Sequence, residues 1–491
     1  MFAGALVFYG VLSGINKVMI NTTYRSKPLY WRVRPTEKRV LLLLGDILAS
    51  SIALWVSLYF WSRGDAWLSF SPEFILTRPA WWYWILPLVW LVLMVELYDT
   101  KRVGRRSDVI RGVGTAALIS FALYLVIYFT SEPNSLPRRG VAVFIIATAL
   151  LTLVWRLISI KIFSGASFLR RVIIVGAGKA GRTVQKVINE TQPLPYNVIG
   201  FIDDDKKKIG KSIQGGKVLG GNKKLSSIIK KYCITDIIFA ISVDINPGML
   251  QAIVDAEECG IEVITMPAVY EELMGRVPIF LLDSDWLIRS FIDQAHTSGF
   301  YELAKRIMDI LGALIGLLTM TLLFPMIALG ILLDSGLPIF YTQTRLGKNG
   351  AHYNMIKFRT MHRESESVIQ AATHDDPRVT RFGKLLRRTH LDELPQFMNI
   401  LMGDMSLVGP RAERAELVAA LQKVVPFYRA RLLVKPGLTG WAQINFGYAS
   451  SVEDTATKLE YDLYYIKRRS VMMDIITLLR TFSTVYGFKG T

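Results

Sequence analysis

The chain has 491 residues, of which 51% are hydrophobic, so a single small soluble domain is excluded and several buried or lipid-facing segments are expected. Lys and Arg number 58 against 40 for Asp and Glu, and the resulting net charge of +18 favours a partner that carries phosphate. Charge alone does not choose between an anionic membrane, a nucleotide and a nucleic acid.

The first element is an apolar segment, residues 1–20, in a stretch that ends at residue 39 and is predicted to be cytoplasmic or interfacial. It lacks the basic start and the cleavage site of a secretory signal, so an interfacial helix and a start codon placed too early both explain it. A predicted four-helix transmembrane domain follows at 40–165. Its apolar stretches, each near the ~20 residues that a helix needs to cross a bilayer, are residues 40–61, 81–98, 112–130 and 141–160.

Basic residues flank these apolar stretches unequally. They cluster before the first stretch, between the second and third, and around the end of the fourth, whereas the two other loops are poor in them. Positive charge marks the cytoplasmic side, so both ends of the transmembrane domain are predicted to face the cytoplasm. Buried helices of a large soluble protein are the alternative, but the aromatic cluster at residues 81–84 is typical of a membrane interface.

Short β-branched runs alternate with polar helical stretches at 170–279, which predicts a small Rossmann-like parallel α/β domain. Three glycines have GxGxxG spacing after the first run and an acid follows the second, a pattern that favours a nucleotide but also fits a turn that only serves packing. The candidate nucleotide-binding residues are Gly176, Gly178, Gly181 and Asp203. Cys233 and Cys259 have neither CxxC spacing nor nearby histidines, and we expect reduced, buried thiols.

A linker at 280–298 leads to a module at 299–491 that begins with a fifth apolar segment, residues 305–334. Pro325 lies within this segment and is expected to bend or break the helix. Both flanks of the segment are basic, so we predict a re-entrant helix rather than a full span. Lys305 is interpreted as an anchor to lipid phosphates rather than as part of a YxxxK proton-transfer pair with Tyr301.

Two adjacent acids, Asp392 and Glu393, open a helical stretch in which Pro395 occupies a position that tolerates a missing N–H. The helix dipole favours negative charge there, so the acids are candidates for a nucleophile and for ligands of a hard metal ion. Guanidinium groups nearby could neutralise a diphosphate; they belong to Arg359, Arg381, Arg387, Arg388 and Arg411. Each feature alone also fits a helix cap or a solvated basic surface, but together they favour phosphoryl transfer at a membrane.

At these residues the sequence resembles the long form of the bacterial polyprenyl-phosphate sugar-1-phosphate transferases, which initiate exopolysaccharide, capsule and O-antigen synthesis. The matching motifs are KRIMD at 305–309, QTRLGKNG at 343–350, KFRTM at 357–361, LDELPQFMNIL at 391–401, SLVGPR at 406–411 and VKPGLTGWAQIN at 434–445. Two positions depart from the common pattern, Ala412 and Arg469, and neither is the proposed nucleophile.

The resemblance implies that Asp392 attacks a UDP-hexose, with galactose or glucose preferred, releases UMP, and passes the phosphosugar to undecaprenyl phosphate. It implies Mg²⁺ at Asp392 and Glu393, donor phosphates held near Arg411, and a bacterial inner-membrane enzyme whose catalytic module faces the cytoplasm. Membrane lipids are expected partners, nucleic acid is not, and a homodimer is predicted.

Two competing classes are a nucleotide-sugar dehydratase or epimerase and a membrane sensor that only binds nucleotides. The first would require a second glycine-rich dinucleotide turn after the linker, and residues 299–491 contain none. The second does not explain the acidic pair and its arginines. The hexose and the polysaccharide are not identified by any motif.

Overall fold

The computed structural model describes residues 35–64, 67–98, 106–130, 137–163, 169–191, 194–241, 245–281, 299–362, 378–447 and 451–486. The segment predicted as an interfacial helix, residues 1–20, lies outside these ranges, as does most of the predicted linker at 280–298.

The amino-terminal part is helical. Its helices are α1 (Pro35–Ser62), α2 (Pro72–Thr77), α3 (Leu86–Leu93), α4 (Arg106–Thr130) and α5 (Arg138–Phe163). Within the described ranges, four helical segments are long and apolar enough to cross a membrane, namely Glu37–Ser62, Arg106–Phe129, Arg138–Ile162 and Gly299–Ser335. These segments leave large apolar side chains exposed, as expected of a membrane protein.

The second predicted span differs from a continuous helix. A 3₁₀ turn at Trp81–Ile85 precedes the eight-residue α3, and a second 3₁₀ turn at Val95–Tyr98 follows it. Pro87 explains the first break, because proline lacks an N–H and is accommodated in the first turn of a helix. The apolar helical stretch Trp81–Leu93 is consequently shorter than the four candidate spans.

A buried ion pair connects the membrane helices. Arg156 of α5 donates from Nε and Nη2 to the carboxylate of Asp46 in α1, and the Nη2 to Oδ2 distance is 2.5 Å. The Tyr98 hydroxyl donates to the same carboxylate at 2.6 Å, and Arg156 Nη1 donates to the Leu97 carbonyl at 2.8 Å. Both charged side chains are fully buried. The contacts therefore fix α1, α5 and the turn at Val95–Tyr98 relative to one another.

The α/β domain is a six-stranded sheet with helices on both faces. Its elements are β1 (Arg170–Val175), α6 (Lys179–Glu190), β2 (Tyr196–Ile202), β3 (Ser212–Ile213), β4 (Gly216–Gly220), α7 (Leu225–Tyr232), β5 (Asp236–Phe239), α8 (Pro247–Glu258), β6 (Glu262–Thr265) and α9 (Met266–Met274). The strand order is β3-β4-β2-β1-β5-β6, and only the pair β3 and β4 is antiparallel. Ile174 packs with α6 and α9 on one face, whereas Ile173 packs with α7 and α8 on the other.

The two cysteines of this domain are exposed, so the prediction of buried thiols was wrong. Cys233 caps the carboxyl end of α7 in the left-handed region, with φ 52°, and Cys259 caps the carboxyl end of α8. Their positions at helix ends, which lie at the surface of the domain, explain the exposure. Both thiols are free.

The carboxy-terminal module begins with α10 (Gly299–Ser335) and a hairpin of β7 (Phe340–Leu346) and β8 (His352–Phe358). The remaining elements are α11 (Arg381–Arg388), α12 (Gln396–Met402), β9 (Ser406–Val408), α13 (Ala415–Leu421), β10 (Gly437–Thr439), α14 (Trp441–Asn445), α15 (Val452–Arg468) and α16 (Val471–Tyr486). The core of this module includes Ala313 from α10, Ile400 from α12 and Leu463 from α15.

Helix α10 continues through Pro325 as one element. The sequence predicted either a bend or a break at this proline, and the break does not occur. A proline in a helix interior removes one backbone hydrogen bond, and packing on both sides can offset that loss. Phe324 on one side of the proline and Ile327 and Ile331 beyond it pack against Phe358 and Leu386. The apolar cluster therefore holds the two halves of the helix in one element.

Helix α9 of the α/β domain contacts α15 of the carboxy-terminal module. Lys467 Nζ lies 2.6 Å from Glu271 Oε1, and Arg276 Nη1 lies 3.3 Å from Glu460 Oε2. Burial raises the pKa of Glu460 to about 7, although the charge of Arg276 acts in the opposite direction. The carboxyl group at this interface is therefore largely protonated below neutral pH.

The Glu460→Gln variant is expected to melt a few degrees above the wild type at pH 8 and at the same temperature at pH 5. Folded Glu460 keeps its proton up to a pKa of about 7, whereas the unfolded group loses it near 4.5. The wild type therefore loses stability as the pH rises through that window, and glutamine does not titrate. Thermal melting of both proteins across this range checks the prediction, and a difference that does not grow with pH would contradict it.

Candidate active site

Asp392 and Glu393 lie in a 3₁₀ turn between α11 and α12. His390 adopts the left-handed conformation, with φ 56°, and ends the α11 segment so that the chain enters the turn at Leu391–Glu393. Pro395 precedes the first residue of α12 and needs no hydrogen bond from its nitrogen. The chain thus follows one right-handed helical run from residue 391 to residue 402, with both acids in its first turn, as predicted.

Glu393 is held by two basic side chains. Lys357 Nζ in β8 donates to Glu393 Oε1 at 2.6 Å, and Arg411 Nη2 lies 3.6 Å from the same oxygen. Burial alone would raise the pKa of Glu393, but the charges of Lys357 and Arg411 outweigh it and lower that pKa to about 2. Glu393 is therefore ionised at neutral pH.

Asp392 is 7% exposed and, within the described ranges, accepts no hydrogen bond. Burial raises the pKa of Asp392, and the negative charge of Glu393 adds to the effect, while Lys357, Arg387 and His390 oppose it. A buried carboxylate that accepts no hydrogen bond from the described residues is available to a ligand or a reacting phosphorus atom. The two neighbouring acids thus differ, since the net effect of their surroundings lowers the pKa of Glu393 and raises that of Asp392.

Of the predicted phosphate-binding residues, Arg387 and Arg411 act on the acidic pair. Arg387 also donates from Nε to Thr360 Oγ1 at 2.9 Å. Arg359 is buried directly after the end of β8. Arg381 and Arg388 are exposed on α11, and the described residues show no ion pair between either of them and the two acids.

Lys357 opens the KFRTM motif, which places a basic residue near the acidic pair, but its contact with Glu393 was not predicted. The signal was present in that motif, but the sequence does not show that β8 lies beside the helical run. Asn399 of α12 fixes this packing through two hydrogen bonds. Its Oδ1 accepts one from Ile356 N at 3.1 Å, and its Nδ2 donates one to the Asn354 carbonyl at 2.8 Å. β8 therefore places the lysine against Glu393.

The motifs SLVGPR and KPGLTGW pair with each other, since β9 and β10 form a two-stranded parallel sheet. Asp309 of α10 supports β9 by accepting hydrogen bonds from Ser406 Oγ at 2.9 Å and Leu407 N at 2.8 Å. Lys305 donates to the Val408 carbonyl and to Asp474, both at 3.0 Å. The prediction of Lys305 as a lipid anchor was therefore wrong, because its ammonium group is used inside the fold.

In the α/β domain, close packing is enough to explain why two of the three glycine positions, Gly176 and Gly181, carry no side chain. A Cβ on Gly176, whose φ is +106°, would lie 2.7 Å from the Ala240 carbonyl oxygen, and one on Gly181 would lie 1.9 Å from the Gly176 carbonyl oxygen. Gly178 has open space around it. Asp203 Oδ2 already accepts hydrogen bonds from Ala177 N at 2.9 Å and from Lys208 Nζ at 3.0 Å. Nucleotide binding by these residues stays a prediction.

No group of three or more His, Cys, Asp or Glu side chains that could hold a metal ion occurs among the described residues. Mg²⁺ is commonly bound by one or two carboxylates together with substrate phosphates, so the donor set of Asp392 and Glu393 is compatible with it. Both basic contacts of Glu393 are made through Oε1. The carboxylates of Asp392 and Glu393 would be the protein ligands.

Comparison with known proteins identifies similar sequences along much of the chain. Residues 300–487 match a family model described as bacterial sugar transferase, and residues 93–267 match one described as a CoA-binding domain. The UDP-N-acetylgalactosamine-undecaprenyl-phosphate N-acetylgalactosaminephosphotransferase of Aeromonas hydrophila is 40% identical over 46% of this chain and 52% of its own length.

Two UDP-glucose:undecaprenyl-phosphate glucose-1-phosphate transferases are also similar. The protein from Xanthomonas campestris pv. campestris is 30% identical over 65% of this chain and 67% of its own length. The protein from Escherichia coli (strain K12) is 43% identical over 39% of this chain and 41% of its own length. The match thus spans between two fifths and two thirds of each of these three relatives.

Proposed function

The chain belongs to the bacterial sugar transferase family, and from that premise we propose that it transfers a hexose 1-phosphate from a UDP-hexose to undecaprenyl phosphate. The names of the relatives support this reaction, with glucose in two of them and N-acetylgalactosamine in the third. Galactose or glucose is the proposed hexose. The product would initiate a bacterial exopolysaccharide, capsule or O-antigen.

The observation that carries the proposal is the contrast between Asp392, which is buried and accepts no hydrogen bond from the described residues, and Glu393, which two cations contact. In the first step a carboxylate oxygen of Asp392 forms a bond to the sugar-linked phosphorus, and the bond from that phosphorus to the oxygen of UMP breaks. In the second step an oxygen of undecaprenyl phosphate attacks the same phosphorus, and Asp392 leaves as a carboxylate.

Basic groups support these steps by neutralising charge on the phosphates. Arg411 reaches Glu393 from the turn after β9, and Arg387 acts on Asp392 from the end of α11. Preorganised positive groups stabilise charge that develops on a transferring phosphoryl group. Mg²⁺ is the proposed cofactor, and when bound to Asp392 and Glu393 it would neutralise further charge on the donor diphosphate.

The experiment that tests the function is a panel of UDP-sugars supplied to the purified protein in detergent with undecaprenyl phosphate. Release of UMP, dependent on the lipid phosphate for multiple turnovers, is the expected result, with the highest rate for UDP-galactose or UDP-glucose. A panel in which no donor releases UMP would overturn the proposed function.

The Lys357→Met variant is expected to lose most of this activity and to lose it preferentially at low pH. Removing the ammonium group at 2.6 Å takes away the strongest influence that lowers the pKa of Glu393, so that pKa rises from about 2. The same ammonium group also lowers the pKa of Asp392, so the acid limb of the pH–rate profile moves upward in the variant. An unchanged acid limb would show that Lys357 does not control Glu393.

We also propose that α10 bends at Pro325, so that it enters the membrane from the cytoplasmic side and returns to it, and the module remains at the cytoplasmic face of the inner membrane. Near its start, Arg306 donates to the Ile400 and Leu401 carbonyls at 2.8 Å, and near its end Asp334 accepts Phe382 N at 2.8 Å. The partners of both ends lie in neighbouring elements, α11 and α12. A helix that crossed the bilayer would carry its two ends to opposite sides.

The outer face of α10 supports this placement, because its apolar side chains are exposed and Leu322 and Leu333 are each 80% exposed. Reporter fusions test it. A fusion after Thr491 should report the cytoplasm, and an insertion at Gly64 should report the periplasm as the matched control. A periplasmic carboxy terminus would contradict the re-entrant helix. The homodimer predicted for this chain stays a prediction.

A further inference from the structure

The buried face of the helical run that carries Asp392 also carries two amide side chains. Asp392, Gln396 and Asn399 are 7%, 3% and 0% exposed, whereas Met398, Leu401 and Met402 on the other face are exposed. The spacing of four and three residues places the three buried side chains in one row along the run. Gln396 occupies the middle of that row, one turn beyond Asp392.

The two amides differ in how their hydrogen bonds are satisfied. Asn399 accepts Ile356 N, donates to the Asn354 carbonyl, and lies 3.3 Å from Asp404 Oδ2. Gln396 Nε2 is buried and has no hydrogen-bond partner among the described residues. A buried amide without a partner costs free energy, because it loses its hydrogen bonds to water and gains none.

The position of Gln396 limits what its partner can be. It lies on the same row as Asp392, which is 7% exposed, while Asn399 on the other side already has hydrogen bonds through both atoms of its amide. A group that reaches both unsatisfied side chains must accept a hydrogen bond from an amide and react with a carboxylate. A phosphoryl group does both, since its oxygens accept and its phosphorus is electrophilic.

We propose that Gln396 is a further catalytic residue, whose amide donates to an oxygen of the phosphoryl group that is transferred to and from Asp392. The inference rests on the proposed function, because it needs a phosphoryl donor at Asp392. The amide would position the phosphorus for attack and share its negative charge. The amide without an internal partner among the described residues is then a binding site prepared for that oxygen.

The test compares Gln396→Met with Asn399→Leu, which each replace one amide of the row by an apolar side chain of similar size. Gln396→Met is expected to melt at or above the temperature of the wild type, because Gln396 Nε2 has no hydrogen-bond partner to lose among the described residues, and to release UMP about tenfold to a hundredfold more slowly. Asn399→Leu is expected to melt at a lower temperature, because it leaves two backbone groups of β8 without partners.

Three outcomes decide the inference. A stable Gln396→Met protein with wild-type turnover would overturn it and leave the proposed function intact. A drop in melting temperature as large as that of Asn399→Leu would also overturn it, because Gln396 would then be bonded within the fold. A wild-type protein that releases no UMP from any UDP-sugar would overturn the proposed function and this inference with it.

Discussion

The Asp392→Asn variant is expected to release UMP at least about a thousandfold more slowly than the wild type, with or without undecaprenyl phosphate. Asparagine keeps the size and the burial of the side chain but lacks the carboxylate oxygen that would form the bond to phosphorus. The measurement is UMP release in detergent with the best donor of the panel, under multiple-turnover and single-turnover conditions.

Two controls make this result specific. The melting temperature of Asp392→Asn should equal or exceed that of the wild type, because the carboxyl group has no internal hydrogen bond among the described residues and burial raises its pKa. Labelled sugar phosphate should be trapped on the wild-type protein in the absence of lipid phosphate and should not be trapped on the variant. Undiminished UMP release from the variant would refute Asp392 as the nucleophile.

The Arg156→Met variant is expected to melt roughly 5 to 15 °C below the wild type in detergent. The substitution leaves the carboxylate of Asp46 fully buried and without the guanidinium that contacts it at 2.5 Å. Removing one member of a buried pair typically costs about 3–5 kcal/mol, because the remaining charge has no compensation. The substitution also removes the hydrogen bond that Arg156 donates to the Leu97 carbonyl.

The double variant Asp46→Leu with Arg156→Met should recover most of the lost melting temperature, since neither charge is then left unpaired. A matched control is Arg63→Met, which removes an exposed arginine that donates to the Tyr59 hydroxyl at 2.7 Å and should change stability little. If the single variant melts within a degree of the wild type, the pair does not hold the membrane helices together.

Local patterns predicted much of the fold because they depend on residues close in sequence. The alternation of β-branched runs with polar helical stretches at 170–279 predicted a parallel α/β domain, and the structure has a mixed sheet with helices on both faces. The apolar lengths of α1, α4 and α5 were sufficient to identify candidate spans. The resemblance to the transferase family was confirmed by the family model that matches residues 300–487.

The same patterns failed where a side chain finds its partner far along the chain. Lys305 has the sequence context of a lipid anchor, but it contacts Asp474, 169 residues away. The cysteines have the composition of buried thiols, but both occupy exposed helix ends. The apolar stretch at 81–98 contains Pro87, whose effect on the helix depends on where the first turn begins.

By itself, the sequence determined which family the chain belongs to and which two acids, Asp392 and Glu393, are the candidates for its chemistry, because motif spacing and a helix start are local properties. Only the tertiary structure decided that these acids differ. Packing of β8 against the helical run brings Lys357 to Glu393 across 36 residues, while Asp392 is buried next to it and Gln396 Nε2 has no hydrogen-bond partner among the described residues. That distinction depends on burial and on long-range contacts, which no stretch of sequence contains.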